Sequence, residues 1–143
     1  MLIGEFTHSI DEKGRTSLPS KFKTEMGTRV VLSRGLEKTI TVYTEESWKK
    51  LNEKLSENLS LTNPKHREFS RFMLSGAQEV ELDKQGRVRI PDFLREHADL
   101  GKKLVWTGAG DRAEIWSEEN WNKYISKVSS NPEEIAESLE GII

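Results

Sequence analysis

The chain has 143 residues, 34% of them hydrophobic and 32% charged, with a net charge of −2. That length suits one compact domain or two small units sharing a core. The absence of cysteine excludes disulfides, thiolate catalysis and cysteine-based zinc sites. No run approaches the roughly 18 apolar residues of a membrane span, and Met1–Phe6 lacks the basic and apolar regions of a secretory signal. A soluble cytoplasmic protein is expected.

The charge is unevenly spread. Residues 131–143 carry Glu133, Glu134, Glu137 and Glu140 and no basic residue, so without them the balance would turn from −2 to +2. Lys13, Arg15, Lys21 and Lys23 cluster in one segment, and Lys84, Arg87, Arg89 and Arg95 in another. Such clusters permit a nucleic-acid footprint without establishing one.

The first predicted strands flank a turn. Phe6, His8, Ile10, Thr16 and Leu18 alternate on one face, with Arg15 and Ser17 on the other. This pattern predicts a hairpin around Asp11–Gly14. Pro19 ends it, and proline suits the first turn of the short helix expected to run to Gly27. A second hairpin is predicted from Val30–Ser33 and Thr39–Tyr43. Thr44, followed by two glutamates, is a good cap for a helix carrying Trp48, Leu51 and Leu55 at helical spacing. A helical connector follows, from the Asn63-Pro64 start signal to Gly76, with Phe69, Phe72 and Met73 as its apolar stripe.

The pattern then repeats. Asp11-Glu-Lys-Gly-Arg15-Thr-Ser-Leu-Pro19 matches Asp83-Lys-Gln-Gly-Arg87-Val-Arg-Ile-Pro91 at an offset of 72. Thr44-Glu-Glu-Ser-Trp48 matches Ser117-Glu-Glu-Asn-Trp121 at an offset of 73. Val80, Leu82, Val88 and Ile90 alternate around the second turn, with Glu79, Glu81, Arg87 and Arg89 on the wet face. A short helix is expected to end near Gly101, and Leu104–Thr107 with Ala113–Trp116 form the next hairpin. Residues 1–60 and 76–128 thus read as two copies of one module, joined by a helical connector over 61–75 and followed by an acidic C-terminal helix or tail over 129–143, with a helix start at Asn131-Pro132. The fold class is mainly β with peripheral helices (α+β). Four short strands per copy have exposed edges, and pairing between copies would close an eight-stranded barrel about a pseudo-two-fold axis.

The repeated Asp-x-x-Gly-Arg turn carries the chemistry. Aspartate accepts hydrogen bonds from backbone N–H groups just ahead of it, and glycine tolerates positive φ. Asp11 with Gly14, and Asp83 with Gly86, fit those roles. Arg15 and Arg87 then begin the return strands, with Lys13 and Lys84 at the tips. Read from spacing, two alternatives stay open: arginines presented to a partner, or a plain salt bridge across the turn, worth roughly 0–1 kcal/mol when exposed.

Both turns, the start Met1-Leu-Ile-Gly4-Glu-Phe, the run Phe72-Met-Leu-Ser-Gly-Ala77 and Leu82-Asp-Lys-Gln-Gly-Arg-Val88 together resemble the MraZ family. The resemblance covers nearly the whole chain. It implies an AbrB-like swapped-hairpin β-barrel built by two repeats of one chain. It also implies a DNA-binding transcriptional regulator, nucleoid-associated, acting on repeated sites upstream of the cell-division and cell-wall gene cluster, its own promoter included. Ring-shaped homo-oligomers are implied as well. Arg15, Arg87, Lys13, Lys84 and Arg89 would contact double-stranded DNA, while Asp11, Gly14, Asp83 and Gly86 form the turns. Thr16 and Ser17 stand where the second copy has Val88 and Arg89, so the two faces are not equivalent. The alternative is an AbrB-type protein-interaction or antitoxin-like module, with the acidic tail on a basic partner. Ile135, Leu139 and Ile142 of that tail would pack on a neighbouring subunit or on their own chain.

Other signals point elsewhere. Gly108-Ala-Gly110-Asp-Arg-Ala113 matches a dinucleotide-binding pattern, but a strand rather than the required helix follows. His8, His66 and His97 lack metal-ligand spacing, and His8 falls on an apolar strand face. Trp48 and Trp121 read as packing residues. Nothing indicates an enzyme, a metal or a cofactor.

Overall fold

A computed structural model describes residues 1–143. The strands flanking the first turn, β1 (Glu5–Ser9) and β2 (Arg15–Ser17), share no strand ladder, only an isolated Ile10–Thr16 bridge beside the turn. Here the structure departs from the predicted hairpin. β1 instead pairs antiparallel with β7 (Lys103–Gly108) of the other copy, placing Phe6 opposite Trp106. In the same way β5 (Ala77–Glu81) leaves its own copy to pair with β3 (Arg29–Arg34), with Val80 opposite Val30. β2 pairs with β6 (Arg87–Arg89). Alternation encodes which face of a strand is buried, not which strand lies beside it, and tertiary packing chose the neighbour.

The remaining strands are β4 (Ile40–Thr44) and β8 (Arg112–Ser117). They form the expected hairpins with β3 and β7 and meet each other across the copies. Eight strands therefore form a six-stranded antiparallel sheet, β1-β7-β8-β4-β3-β5, and a two-stranded ribbon, β2-β6. Equivalent residues face each other at two places. Thr16 opposes Val88 in the ribbon, and Thr41 opposes Glu114 in the sheet. The pseudo-two-fold axis passes through these two pairs, from the ribbon to the middle of the sheet.

One core lies between ribbon and sheet. Leu18, Val88 and Ile90 from the ribbon side join Leu32, Ile40, Trp106 and Ile115 from the sheet, all fully buried. Burying side chains of this kind contributes about 1.5–3 kcal/mol each before the entropy of ordering is set against it. Phe22 packs edge-on against Phe6, with ring centres 5.3 Å apart.

Helices close the flanks. A 3₁₀ turn at Ser20–Phe22 leads into α1 (Lys23–Met26), which ends at Gly27 with φ +68°. α2 (Glu45–Asn58) starts where Thr44 Oγ1 accepts from the Ser47 N–H at 3.0 Å. The connector is α3 (Pro64–Ser75), capped by Asn63, and it packs along β3. α4 (Asp92–His97) stops earlier than Gly101. Asp99 takes the left-handed φ of +53°, and the Leu100 N–H closes onto the Arg95 carbonyl at 3.0 Å. This is a Schellman closure with aspartate in the usual glycine position. α5 (Glu118–Ser129) starts with the Asn120 N–H donating to Ser117 Oγ at 3.0 Å. Trp48 meets Tyr43 and Trp121 meets Trp116, at 5.3 and 5.4 Å between ring centres, so both helices pack through aromatics. The tail carries α6 (Pro132–Glu137), and Ile135 on it and Leu139 and Ile142 beyond it remain exposed. No helix is long and apolar enough to cross a membrane.

Candidate nucleic-acid interface

The two Asp-x-x-Gly-Arg segments fold into matching corners. In the first, Asp11 Oδ1 accepts from the backbone N–H groups of Lys13 and Arg15, both at 2.9 Å. Asp11 Oδ2 accepts from Arg15 Nε at 2.8 Å. The Gly14 N–H donates to the Asp11 carbonyl at 3.0 Å, and the Asp11 N–H donates to the Arg15 carbonyl at 2.9 Å. Gly14 takes φ +80°, which explains glycine at that position. In the second corner Asp83 Oδ1 accepts from Gln85 and Arg87 N–H, both at 2.9 Å, and Oδ2 from Arg87 Nε at 2.8 Å. Gly86 takes φ +75°.

Each aspartate thus satisfies three donors. The N–H of the following arginine, opposed by partial desolvation and reinforced by its guanidinium, holds both carboxyls below the usual carboxylate range. The guanidinium is anchored through Nε alone. Its two NH2 groups lie outside the corner's own hydrogen bonds, and Arg15 and Arg87 keep about a third of their side-chain surface exposed (31% and 27%). The salt bridge and the presented arginine are therefore not exclusive, because one nitrogen makes the former and two serve the latter.

The corners lock onto each other's strands. The Ile90 N–H donates to the Gly14 carbonyl at 2.7 Å and the Leu18 N–H to the Gly86 carbonyl at 3.0 Å. This fixes the ribbon, whose inward face is Thr16 and Val88. Its outward face carries Arg15 opposite Arg89 and Ser17 opposite Arg87. Like charges placed directly opposite are destabilising, so this face favours an anion. Lys13, Lys84 and Arg89 are exposed. All nine residues named from the sequence thus gather on the ribbon and its two ends.

Two further cations reach the corners. A methyl group on Gly86 would lie 2.9 Å from Lys23 Nζ, and one on Gly14 would lie 3.4 Å from Arg95 Cζ. The spacing within the motif did not nominate them. Their signal was the repeat itself, because Lys23 and Arg95 are also 72 residues apart.

His8 is half-buried, and its Nδ1–H donates to the Ser17 carbonyl at 2.7 Å. It braces the diverging strands below the corner rather than filling the core. Residues 109–111 link β7 to β8 as a hairpin loop. Gly108, at the end of β7, is required by close approach, since a Cβ there would meet Ile3 N at 2.4 Å. No cluster of three or more metal-ligating side chains occurs.

The sequence has relatives among known proteins. The family described as "MraZ protein, putative antitoxin-like" matches residues 1–72 and again 73–139. "Transcriptional regulator MraZ" of Caldanaerobacter subterraneus subsp. tengcongensis is 46% identical over 140 residues, covering 98% of this chain and 97% of its own. Its namesake in Alkaliphilus metalliredigens is 48% identical over the same shares. That of Limosilactobacillus reuteri is 48% identical over 139 residues, 97% of each chain. With both repeats matched and nearly the full length shared, the chain belongs to the MraZ family, whose curated relatives are named transcriptional regulators.

Proposed function

We propose that this chain is a sequence-specific DNA-binding transcriptional regulator whose reading surface is the outward face of the β2–β6 ribbon and its two corners. The observation carrying this reading is the placement of Arg15, Arg87 and Arg89 on one short ribbon, with the nearby aspartates already engaged. A two-stranded ribbon fits the major groove, where a free guanidinium edge matches guanine O6 and N7. Lys13 and Lys84 flank the ribbon and suit phosphates, which position a protein without reading sequence. The targets we propose are the repeated sites upstream of the cell-division and cell-wall gene cluster, the chain's own promoter among them, with residence at the nucleoid.

One ribbon makes few contacts. Ring assembly of several copies would bring many ribbons to successive sites and multiply affinity through effective concentration. The exposed apolar residues of the tail, Ile135, Leu139 and Ile142, then serve contacts between proteins, whether copies of this chain or another partner.

The test is titration of a duplex from the chain's own upstream region, followed by fluorescence anisotropy. Arg15→Ala and Arg87→Ala are each expected to weaken binding about tenfold or more while circular dichroism stays unchanged. Affinity should also fall linearly with salt on logarithmic axes. Unchanged affinity in both folded variants would remove the ribbon from the mechanism.

A further inference from the structure

We propose that Lys23 is a phosphate-binding residue of the second corner, and that Arg95, its counterpart in the repeat, is held back from the same role at the first corner by Asp92. The inference deepens the DNA-binding reading and rests on it.

The exchange of strands creates the arrangement. Because β2 runs beside β6, the chain leaving β2 passes the second corner, where Leu18 N–H donates to the Gly86 carbonyl at 3.0 Å. Pro19 and the 3₁₀ turn then deliver Lys23 above Gly86. The chain leaving β6 passes the first corner in the same way and delivers Arg95 above Gly14. Each corner is thus completed by a cation from the opposite repeat. A glycine without a side chain leaves that cation room to lie across the turn.

The two cations differ in what binds them. Lys23 is exposed and has no carboxylate oxygen within 4.0 Å, whereas Arg95 is paired with Asp92. Arg95 is also partly sunk, with its Nε buried and without an acceptor. The tips add to the contrast, since Lys84 of the second corner stands where the first has Glu12. Asp83, the one acid of the second corner, is already tied to Arg87. The second corner thus has Lys23 lying across Gly86, Lys84 at its tip and its one acid already engaged, an arrangement that a backbone phosphate neutralises. At the first corner Asp92 holds Arg95 by a terminal nitrogen, the end that Arg15 and Arg87 leave free, and so occupies it in the phosphate's place.

The experiment measures anisotropy of the upstream duplex and of a scrambled duplex across a salt series. Wild type, Lys23→Ala, Lys23→Arg, Asp92→Asn and Arg87→Ala are compared, with thermal melts to verify folding. Lys23→Ala should bind both duplexes about three- to tenfold more weakly, with a salt slope shallower by about one phosphate contact. Lys23→Arg should restore affinity, and Asp92→Asn should tighten binding severalfold by releasing Arg95. If wild type binds and Arg87→Ala does not, while Lys23→Ala keeps wild-type affinity and slope, this assignment is overturned and the DNA reading stands. Weaker binding by folded Asp92→Asn overturns the masking of Arg95. Absence of any wild-type binding overturns both readings.

Discussion

Arg15 donates its Nε to Asp11 Oδ2 at 2.8 Å, and the equivalent pair Arg87 and Asp83 meets at the same 2.8 Å. The other oxygen of each aspartate holds two backbone N–H groups, so the corner depends on the ionised carboxylate. The folded-state pKa of each lies below its ordinary value of 3.8. A lowered folded pKa means that the contribution to stability is complete above the unfolded value and is lost as pH falls through the folded one. The corners should therefore be intact at neutral pH and loosen only below about pH 4. Side-chain carboxyl titration by NMR should give midpoints below 3.8 for Asp11 and Asp83. Midpoints at or above that value would mean that these contacts do not persist in solution.

The corner glycines separate two kinds of neighbour. Both have positive φ, +80° at Gly14 and +75° at Gly86, so alanine at either is strained by about 1–2 kcal/mol. At Gly14 the new methyl would also lie 3.1 Å from the Ile90 carbonyl oxygen. That strand is hydrogen-bonded back to Gly14 and has little freedom to move. At Gly86 the nearest atom is Lys23 Nζ, the end of a flexible chain that can swing away. Gly14→Ala should therefore lower the urea midpoint more than Gly86→Ala. The reverse order would show that the ribbon is more pliant at Ile90 than its hydrogen bond implies.

How much of this was legible in the sequence follows from the range of each interaction. Asp11, Gly14 and Arg15 interact within five residues, so their turn chemistry was readable, as were the Thr44 and Ser117 caps. The hairpin expected of β1 and β2 was not formed, because Phe6 and His8 announce a buried face and say nothing of the partner strand β7. Asp99 was missed as a helix terminus because Gly101 offered the commoner signal nearby. Lys23 and Arg95 belong to corners some 60 to 80 residues away in the chain. Only the exchange between repeats brings them there, so the basic clusters could include them without assigning either to a corner.

The axis residue Thr16 offers a test of the core itself. It is 1% exposed and faces Val88, its own equivalent in the other repeat. Its Oγ1 is buried with no hydrogen-bond partner. A buried hydroxyl without a partner costs about 1–3 kcal/mol in lost solvation, and Val88 shows that this environment accepts valine. Thr16→Val keeps the branched shape and removes the orphaned oxygen. It should raise stability by about 1 kcal/mol, seen as a higher urea midpoint with an unchanged slope. Thr16→Ser, which keeps the hydroxyl and loses the methyl, should lower it. DNA affinity should stay at the wild-type level in Thr16→Val, because the side chain points away from Arg15 and Arg89. A destabilised Thr16→Val would mean that the hydroxyl finds a partner at the axis after all, and the two repeats would then meet through a polar contact rather than an apolar one.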